Sequence, residues 1–329
     1  MLTRRSFVGA GASLALFAGT RGSLAETYAN RPIRMIAGFP AGGGIDLMAR
    51  FLGDPIKETL GQPVIVENRV GAAGMLAANS VAKAPADGHM LLMATSGEIA
   101  IGHHLYKEKM TYDPMRELAP ITLVGIVPCV VVVAPTTPVH NPQELVAYAK
   151  ANPGKLSFSS SGVGNPQQLA GELMNIMAGT DVLHVPYRGA APAVTDVATG
   201  AVTMSFTSLA AARGLIDAGK VRPVAVTSRE RVAQLPDVAP LEDGSAGLKG
   251  YELLNWFGLF TTGGTPAPIV AQLNEISNKA LHDPKAAAML AVQGIIPRRT
   301  TPAEFGSFVR SESEKFATII AKARIKAEQ

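Results

Sequence analysis

Two short segments combine glycines with small polar side chains in a way that suits anion binding. The first runs from Phe39 to Asp46 and the second from Ser159 to Asn165. Each follows an apolar run typical of a strand and precedes a helical pattern. At such a turn, uncovered backbone N–H groups and the helix dipole favour a negative charge, and glycine lets a ligand approach the main chain closely. Ordinary turn and capping chemistry is the alternative for either loop alone.

Signatures of catalysis are absent from the sequence. There is no G-x-S-x-G elbow, H-E-x-x-H zinc motif, paired C-x-x-C or phosphate-loop lysine. The glycines of both loops miss the spacing of a dinucleotide fingerprint. His103 and His104 are adjacent, so we expect their rings to point in different directions and to make a poor metal pair. We therefore predict no catalytic residue, no metal site and no cofactor.

An exported hydrolase is the main rival interpretation. It would use Ser160 or Ser161 as the nucleophile and backbone donors of Gly42–Gly44 as an oxyanion hole. Such an enzyme needs a base beside the serine, and no His or Asp neighbours either hydroxyl in sequence. Only the tertiary structure shows whether a base approaches in space. A structural or adhesive protein has no repeat or extended β pattern to support it.

The N-terminus carries the features of a bacterial export signal. Arg4 and Arg5 precede an apolar stretch over residues 8–18, and Ser23-Leu24-Ala25 offers the small residues that a signal peptidase reads. The apolar stretch is only about half of the ~20 residues that a membrane-spanning helix needs. We predict cleavage after Ala25, a periplasmic location and export by the twin-arginine route. Ordinary secretion is the alternative route.

The mature chain is close to electrical neutrality. The sequence has 30 basic and 26 acidic residues, and Arg4, Arg5 and Arg21 leave with the signal, so 27 basic residues face 26 acidic ones. Because nucleic-acid binding needs a basic face, this balance argues against a nucleic-acid partner. No later segment has membrane-spanning length without a charge, Gly or Pro. We expect a monomer that does not insert into the membrane.

Behind the two loops, short apolar runs alternate with helical patterns. Strands are predicted over residues 34–39, 64–67, 90–94, 121–134, 155–160, 182–185, 202–206, 221–227 and 256–262. Helices are predicted over residues 45–56, 74–84, 142–149, 167–177, 192–198, 269–281, 284–293 and 302–326. Alternation of this kind indicates an α/β fold with parallel sheets covered on both faces. Pro55 should kink or shorten the first helix.

Two further features concern packing. The single cysteine, Cys129, lies inside an apolar run, where we expect a small buried hydrophobe rather than a reactive thiol. The last helix carries an apolar stripe that should dock on the rest of the protein; a free amphipathic membrane helix is the weaker alternative. The stripe consists of Phe305, Phe308, Val309, Phe316, Ile319 and Ile320.

The strand-rich stretches 121–134 and 221–227 bracket a block of about one hundred residues. If each stretch crosses between domains, the block is one domain and the two ends of the chain form the other. We predict a signal peptide over 1–25, one discontinuous domain over 26–124 plus 225–329, and a second domain over 125–224. Two domains joined by two crossovers make a hinged clamp, with the ligand held at their junction.

An ordered set of short motifs extends over nearly the whole mature chain. It comprises residues 31–34, Phe39-Pro40-Ala41-Gly42-Gly43-Gly44-Ile45-Asp46, Ala49-Arg50, residues 60–64 and 66–69, Pro85-Ala86-Asp87-Gly88, residues 160–164, His184-Val185-Pro186-Tyr187-Arg188-Gly189, Trp256-Phe257-Gly258-Leu259 and Thr265-Pro266-Ala267-Pro268. With this set the sequence resembles the substrate-binding proteins of tripartite tricarboxylate transporters, often called Bug-type receptors.

The resemblance implies a type II periplasmic-binding-protein fold. It implies an organic acid whose carboxylate is held largely by main-chain groups and ordered water between the two loops. It also implies a membrane transporter component as a partner. With the analysis of the loops, it predicts these ligand-binding residues: Phe39, Ala41, Gly42, Gly43, Gly44, Asp46, Thr95, Ser96, Ser160, Ser161, Gly162, Gly164, Asn165, Gln168, Tyr187, Arg188, Gly189 and Thr207.

Some of these positions allow two roles. Asp46 is expected either to cap and brace its loop or to contact the ligand through water or a ligand amine. Arg188 is either a fork donor to a second carboxylate or part of a structural salt bridge. Family members often carry His where this chain has Gln168, and an acidic residue around Thr207. Without that acid, plain mono- or dicarboxylates or aromatic acids are favoured over amino acids.

Overall fold

The computed structural model describes residues 28–327, so the predicted export signal lies outside the described residues. The strands are β1 (Ile33–Ala37), β2 (Val64–Asn68), β3 (Met90–Thr95), β4 (Leu118–Val133), β5 (Leu156–Ser160), β6 (Val182–Pro186), β7 (Met204–Ser208), β8 (Arg222–Val226), β9 (Leu254–Thr262) and β10 (Ile296–Pro297). The helices are α1 (Gly44–Leu60), α2 (Met75–Ala82), α3 (Gly102–Leu105), α4 (Pro114–Glu117), α5 (Pro142–Ala151), α6 (Pro166–Ala178), α7 (Ala190–Thr199), α8 (Leu209–Asp217), α9 (Ala267–Leu281), α10 (Pro284–Val292) and α11 (Pro302–Ala323). A π-helical turn, Gly97–Ile101, links β3 to α3.

The first sheet has the strand order β2-β1-β3-β9-β4. Strand β1 pairs in parallel with β2 and β3, as the alternation of strands and helices predicts. Strand β9 is antiparallel to β3 and to the first part of β4, and the short β10 also pairs with β4. The sheet is therefore mixed, with a parallel half that ends near the first glycine loop.

The second sheet begins where β4 changes partners. Residues Cys129 to Val133 pair antiparallel with β7, and residues Val130 to Val133 also pair antiparallel with β8. Strand β5 pairs in parallel with β6 and β7, so the second loop also follows a strand of a parallel unit. Both sheets thus contain a parallel unit whose strands alternate with helices, which is the α/β architecture expected from the sequence.

Strand β4 is the first connection between the two sheets, because it belongs to both. The return path follows β8: the N–H of Val226 donates to Ala239, and the N–H of Leu253 donates to Thr227 directly before β9. The predicted boundary between residues 224 and 225 falls inside β8, whose partner strand in the second sheet is β4. The division into residues 26–124 plus 225–329 and 125–224 stays a prediction.

Helix α1 differs from its prediction. It continues past Pro55 to Leu60 and ends at Gly61, whose φ of 68° forms a left-handed cap. Leu52 and Ile56, which lie on either side of Pro55, are completely buried. Their packing outweighs the hydrogen bond that proline cannot donate, so the helix is not shortened.

The C-terminal helix α11 docks as its apolar stripe predicts. Phe305, Val309 and Phe316 are buried, and the helix packs against β4 and α6. The ring of Phe305 meets Trp256 edge-on at 5.9 Å between centroids. Because Trp256 belongs to β9 of the first sheet and α6 follows β5 of the second, α11 packs against elements of both sheets. None of the helices within residues 28–327 has the length and apolar character needed to cross a membrane.

Cys129 is a free, buried thiol on β4, as expected for a small core residue. Burial raises the pKa of this thiol to about 12. The hydroxyl of Thr227 accepts the Cys129 N–H at 2.8 Å, which ties β4 to the segment after β8. The thiol is therefore kept protonated and unreactive at neutral pH.

The predicted ring directions of His103 and His104 were wrong. Their rings stack with centroids 3.8 Å apart, and the Nε2 atoms lie 3.0 and 2.9 Å from the same hydroxyl, Ser313 Oγ on α11. Both rings turn toward α11 because this hydroxyl serves one ring as a donor and the other as an acceptor. Residues 28–327 contain no group of three or more side chains placed to hold a metal ion.

Gly258 on β9 provides a test of this packing. A Cβ atom there would lie 2.2 Å from the Phe305 ring, so Gly258→Ala should lower the free energy of unfolding by about 1–3 kcal/mol. Gly214, on exposed α8 with nothing within 4 Å of its Cβ position, is the control. Gly214→Ala should be neutral or stabilising, by at most about 1 kcal/mol. Equal effects of the two variants in urea titrations would contradict the packing of α11 on β9.

Candidate functional site

The two glycine loops line one cavity of about 600 Å³. It lies beyond the carboxyl ends of β1, β3 and β5, where open α/β sheets bind ligands. Its walls are formed by Phe39, Pro40, Ala41, Gly43, Gly44, Ile45, Ala73, Thr95, Gly97, Ser161, Gly162, Val163, Gly164, Asn165, Pro166, Gln167, Asn255 and Phe257. The structure therefore brings together segments that are more than two hundred residues apart in sequence.

No residue in this wall carries a charged side chain. The polar groups that face the cavity are backbone amides, two hydroxyls and three side-chain amides. Phe39, Ile45 and Phe257 supply apolar surface between them. Such a wall recognises a ligand by neutral hydrogen bonds and by contact with a hydrocarbon chain.

Asp46 braces the first loop. One carboxylate oxygen accepts the N–H of Gly42 at 2.9 Å and the Nε of Arg50 at 3.0 Å. The other oxygen accepts the side-chain amide of Asn68 at 3.1 Å, and the same amide donates to the Phe39 carbonyl. Of the two predicted roles, this geometry corresponds to bracing.

The environment of Asp46 keeps it ionised. The hydrogen bond from Arg50 is the largest influence and lowers the pKa of the carboxyl, helped by Gly42 and Asn68 and opposed by burial. Asp46 is 4% exposed and is not part of the cavity wall. Its charge is neutralised inside the protein by Arg50, so it does not offer the cavity a free counter-charge.

Helix α1 points its N-terminus at the cavity. The residue that precedes it, Gly43, has no side chain with which to cap the first turn. Gly43, Gly44 and Ile45 all line the cavity. The uncapped N–H groups at the start of a 17-residue helix attract an anion through their own partial charge and the helix dipole.

The second loop is held by its own side chains. Asn165 caps α6 by accepting the N–H of Gln168 at 2.9 Å. In return, the side-chain oxygen of Gln168 accepts the N–H of Gly164 at 2.7 Å. Ser161 Oγ accepts from the Asn165 amide and donates to Gln167. Gln168 thus shapes the loop from behind, where it is 6% exposed.

Gly164 lies where the second loop contacts helix α3, which follows the first sheet. Its φ of 72° favours glycine, and a Cβ atom there would lie 2.6 Å from the side chain of Leu105 on α3. The second loop therefore rests directly on a segment that follows β3 of the first sheet.

Asn255 is a wall residue that the sequence analysis missed. Its side-chain oxygen accepts from Ser96 Oγ and from the N–H of Trp256, both at 2.9 Å. These bonds orient the side chain, and its NH₂ group has no protein partner within the described part of the chain. The sequence signal that could have identified Asn255 is a polar residue near the start of the otherwise apolar strand β9. Ala73, Gly97 and Gln167 were also missed because they belong to segments without a motif. Phe257 was missed although it lies in the Trp256–Leu259 motif, because an apolar residue of a strand gives no sign that it faces a cavity.

Several predicted ligand-binding residues lie outside the wall: Gly42, Asp46, Ser96, Ser160, Gln168, Tyr187, Arg188, Gly189 and Thr207. The Tyr187 hydroxyl donates to Asp196 at 2.5 Å, and the N–H of Gly189 donates to Ser161. Thr207 is 1% exposed, and its hydroxyl has no partner among residues 28–327. The side chain of Arg188 is exposed. Whether these residues contact a ligand stays a prediction.

Ser160 does have a histidine beside it in space. His184 Nε2 lies 2.7 Å from Ser160 Oγ, which also donates to the Gly162 carbonyl at 2.8 Å. Burial lowers the pKa of His184 to about 4, so the ring is a weak base. Ser160 is completely buried and is not part of the cavity wall. The pair therefore has no access to a substrate and serves to hold the second loop.

Thr95 is the hydroxyl on the opposite wall. It ends β3, and the buried carboxyl group of Glu98 binds both its N–H and its Oγ1, at 2.9 and 2.5 Å. Thr95 Oγ1 also accepts the N–H of Gly97 at 3.0 Å. A titratable group that does not line the cavity thus controls the orientation of a hydroxyl that does.

The chain has known relatives, and the periplasmic-binding-protein fold expected from the sequence is confirmed, because solved structures of such proteins superpose on it. Residues 48–325 match the model of the tripartite tricarboxylate transporter family receptor, TctC. A protein from the tcbD-tcbE intergenic region of Pseudomonas sp. strain P51 is 36% identical, over 97% of this chain and 95% of its own. The periplasmic binding protein BugD superposes with a TM-score of 0.73 at 32% identity, over 92% of this chain and 100% of its own. An R. palustris protein solved with adipate superposes with a TM-score of 0.77 at 31% identity, over 91% and 99% of the two chains.

Gly43 provides a test of the main-chain site. A Cβ atom there meets only the Pro40 carbonyl, at 3.4 Å, and the φ of −80° is open to any residue. Gly43→Val should therefore fold normally but place a branched side chain at the open end of α1. We expect adipate affinity to fall by at least about 10-fold in calorimetric titrations.

The same substitution at Gly214, on exposed α8 and away from the cavity, is the control and should leave affinity unchanged. Folding is monitored by thermal melting of both variants. A Gly43→Val protein that stays folded and binds adipate within a factor of about 3 of the unmodified protein would show that the cavity at α1 is not the binding site.

Proposed function

The chain belongs to the tripartite tricarboxylate transporter receptor family, and we propose that its cavity holds a small organic acid with two carboxylates. As a member of this family it is a periplasmic solute-binding protein and not an enzyme. The exported-hydrolase interpretation is wrong. The Ser160–His184 pair lies outside the cavity wall, as expected of a structural contact.

The observation that carries the proposal is a cavity wall rich in neutral donors and free of charged side chains. A carboxylate that leaves water needs several hydrogen bonds in return, because a buried charge without partners is costly. The open N-terminus of α1 offers backbone N–H groups, and Thr95 and Asn255 offer side-chain donors. Since all of these groups are neutral, they favour an anion without forming an ion pair.

A second carboxylate suits the opposite end of the cavity. There the second loop presents Ser161, Asn165 and Gln167 together with the backbone of Gly162. Phe39 and Phe257 lie in the wall as well and suit a chain of methylene groups. The related R. palustris protein was solved with adipate, which has this arrangement of two carboxylates joined by methylenes. Succinate and malate share it with shorter chains.

We propose two classes of residue around the ligand. Direct contacts come from the predicted residues in the wall, Phe39, Ala41, Gly43, Gly44, Thr95, Ser161, Gly162, Gly164 and Asn165, joined by Gln167, Asn255 and Phe257. Asp46, Ser96, Ser160 and Gln168 act indirectly, because their hydrogen bonds shape the loops. Arg188 stays a candidate for a contact made when the clamp closes.

The wider biological setting is also part of the proposal. The Arg4-Arg5 motif and the small residues before Ala25 support twin-arginine export with cleavage after Ala25. The family name supports delivery of the ligand to a membrane component of a tripartite transporter. We propose that the mature protein makes this delivery as a monomer.

A thermal-shift screen tests the ligand class. Matched pairs of acids with and without an amino group, such as succinate and aspartate, are compared with adipate and malate. A ligand at a hundred times its dissociation constant adds about 2.7 kcal/mol to the free energy of unfolding. The dicarboxylates should stabilise the protein, and succinate should bind at least about 10-fold more tightly than aspartate, since the wall has no carboxylate to pair with an ammonium.

Two outcomes would contradict this expectation. If no acid in the screen stabilises the protein, the cavity does not hold an organic acid. If aspartate binds as tightly as succinate in calorimetric titrations, the ammonium finds a partner, and Asp46, the carboxylate of the first loop, is the candidate. Asp46→Asn would then identify the partner by weakening aspartate more than succinate.

Substitutions of Asn255 test whether its side-chain NH₂ group donates a hydrogen bond to the ligand. Asn255→Asp keeps the shape of the side chain and the acceptor for Ser96, but replaces the NH₂ donor with a negative charge. Affinity for the dicarboxylate found in the screen should fall by at least about 10-fold. Asn255→Ala, which removes the donor without adding charge, should cost less, about one hydrogen bond or ~1 kcal/mol. Equal losses in the two variants would show that this position does not face an anion.

A further inference from the structure

Glu98 is a fully buried acid directly behind the cavity wall. It lies on the π-helical turn Gly97–Ile101 and is 1% exposed. Burial is the largest influence on its pKa and raises it to about 7, while the hydrogen bonds from Thr95 act in the opposite direction. The group therefore has comparable populations of both protonation states near neutral pH.

The hydrogen bonds of Thr95 depend on which state is present. Oγ1 of Thr95 accepts the N–H of Gly97, which leaves one lone pair and one hydrogen. When Glu98 is ionised, the Thr95 hydrogen must be donated to Glu98 Oε2, 2.5 Å away. When Glu98 is protonated, its own hydrogen is donated to Thr95 Oγ1, and the Thr95 hydrogen becomes free for another acceptor.

The cavity is where that acceptor can lie. Thr95 and Gly97 both form part of the wall, whereas Glu98 does not. An ionised Glu98 thus places a negative charge behind the wall and withholds a donor. A protonated Glu98 removes the charge and releases the donor, so both effects favour an anionic ligand in the same state of Glu98.

No charged side chain forms an ion pair with Glu98 within residues 28–327. The nearest titratable contact is the Tyr112 hydroxyl, which donates to the Glu98 carbonyl at 2.8 Å. The other titratable groups on the helices packed against this turn, with the residue that caps α4, are His103, His104, Asp113, Arg116, Glu117, Glu304, Arg310, Glu312, Glu314, Lys315 and Lys322. Several of them have partners of their own: His103 and His104 bind Ser313 Oγ, Asp113 caps α4, and Glu117 and Glu312 pair with lysines.

We propose that Glu98 is a positioning residue that couples ligand capture to the uptake of one proton. The step adds a solvent proton to Glu98 Oε2 as the dianionic ligand enters, and the Thr95 hydroxyl turns from Glu98 to a ligand carboxylate. No covalent bond other than the O–H bond forms or breaks. This inference rests on the proposed function, because it requires an anionic ligand beside Thr95.

The direction of the pH effect follows from linkage. The complex binds more protons than the free protein around neutral pH, so affinity is greatest below the pKa of Glu98 in the free protein. Above that pKa the affinity falls, by as much as about 10-fold per pH unit. Succinate, malate and adipate are themselves almost fully ionised from about pH 6.5 upward, so their own titration does not cause the fall.

Calorimetric titration with adipate, succinate and malate between about pH 6.5 and pH 8.5 tests the proposal. In the unmodified protein the affinity should fall by about 10-fold or more across this range. Glu98→Gln keeps an acceptor for the Thr95 N–H and a permanent donor to Thr95 Oγ1. It should bind as the unmodified protein does at the acidic end and show no dependence on pH. Thr95→Val should bind weakly at both ends of the range.

Proton uptake gives a second readout that needs no variant. Binding enthalpies are measured near pH 7.5 in phosphate and in Tris. They should differ by the difference between the ionisation enthalpies of the two buffers, multiplied by the fraction of a proton that is taken up on binding. The role of Glu98 would be overturned, with the proposed function left standing, by either of two results. One is an affinity that does not depend on pH, and the other is a Glu98→Gln protein whose affinity changes with pH as that of the unmodified protein does. Failure of all three acids to bind at about pH 6.5 would instead contradict the proposed function and this inference with it.

Discussion

The hydrogen-bond ladder of β4 changes partners between Pro128 and Cys129, and the relative position of the two glycine loops depends on this point. Up to Pro128 the strand pairs with β9 of the first sheet, and from Cys129 it pairs with β7 and β8 of the second. The strand is buried from Ile121 to Ala134, so it is held on both faces as well as along both edges. A change in angle between the sheets must therefore be accommodated beside this strand, with α11 packed across both. The cavity lies at the strand ends that such a change would open or close.

The cavity achieves its polarity without charged side chains in its wall. Asp46 and Gln168 lie behind the two loops and hold the backbone N–H groups of Gly42 and Gly164, which fixes each loop in the shape that leaves the neighbouring donors free. Because these supports are satisfied within the protein, ligand entry does not require them to rearrange. A preorganised set of neutral donors stabilises a carboxylate at low cost in reorganisation. It gives an ammonium group nothing to bind, which accounts for the preference proposed for acids without an amino group.

Two buried carboxyl groups near the cavity have opposite electrostatic environments. Asp46 is bound by Arg50 and by two amide donors, so its pKa is lowered and it remains ionised. Among residues 28–327, Glu98 has Thr95 as its one side-chain partner and no cation, and burial raises its pKa to about 7. The first group is thus suited to a fixed structural role. The second is suited to a role in which its charge changes. Because Glu98 contacts the hydroxyl of Thr95 in the cavity wall, a change in its protonation alters a group that can contact the ligand.

The sequence by itself determined the features that depend on neighbouring residues. The apolar runs located nearly every strand, and the glycines after two of them located both loops, because backbone freedom and helix capping are local properties. The stripe of α11 predicted its docking for the same reason. The tertiary structure alone decided that Asn255 joins the wall, that Arg188 stays exposed outside it, and that His184 reaches Ser160 without forming a catalytic site. Those outcomes depend on pairing and burial between residues far apart in the chain, and local periodicity carries no information about which distant surfaces will meet. Glu98 shows the same limit over a short distance: it lies only three positions after Thr95, but the π-helical turn and the complete burial that join their side chains come from the packing of elements around them.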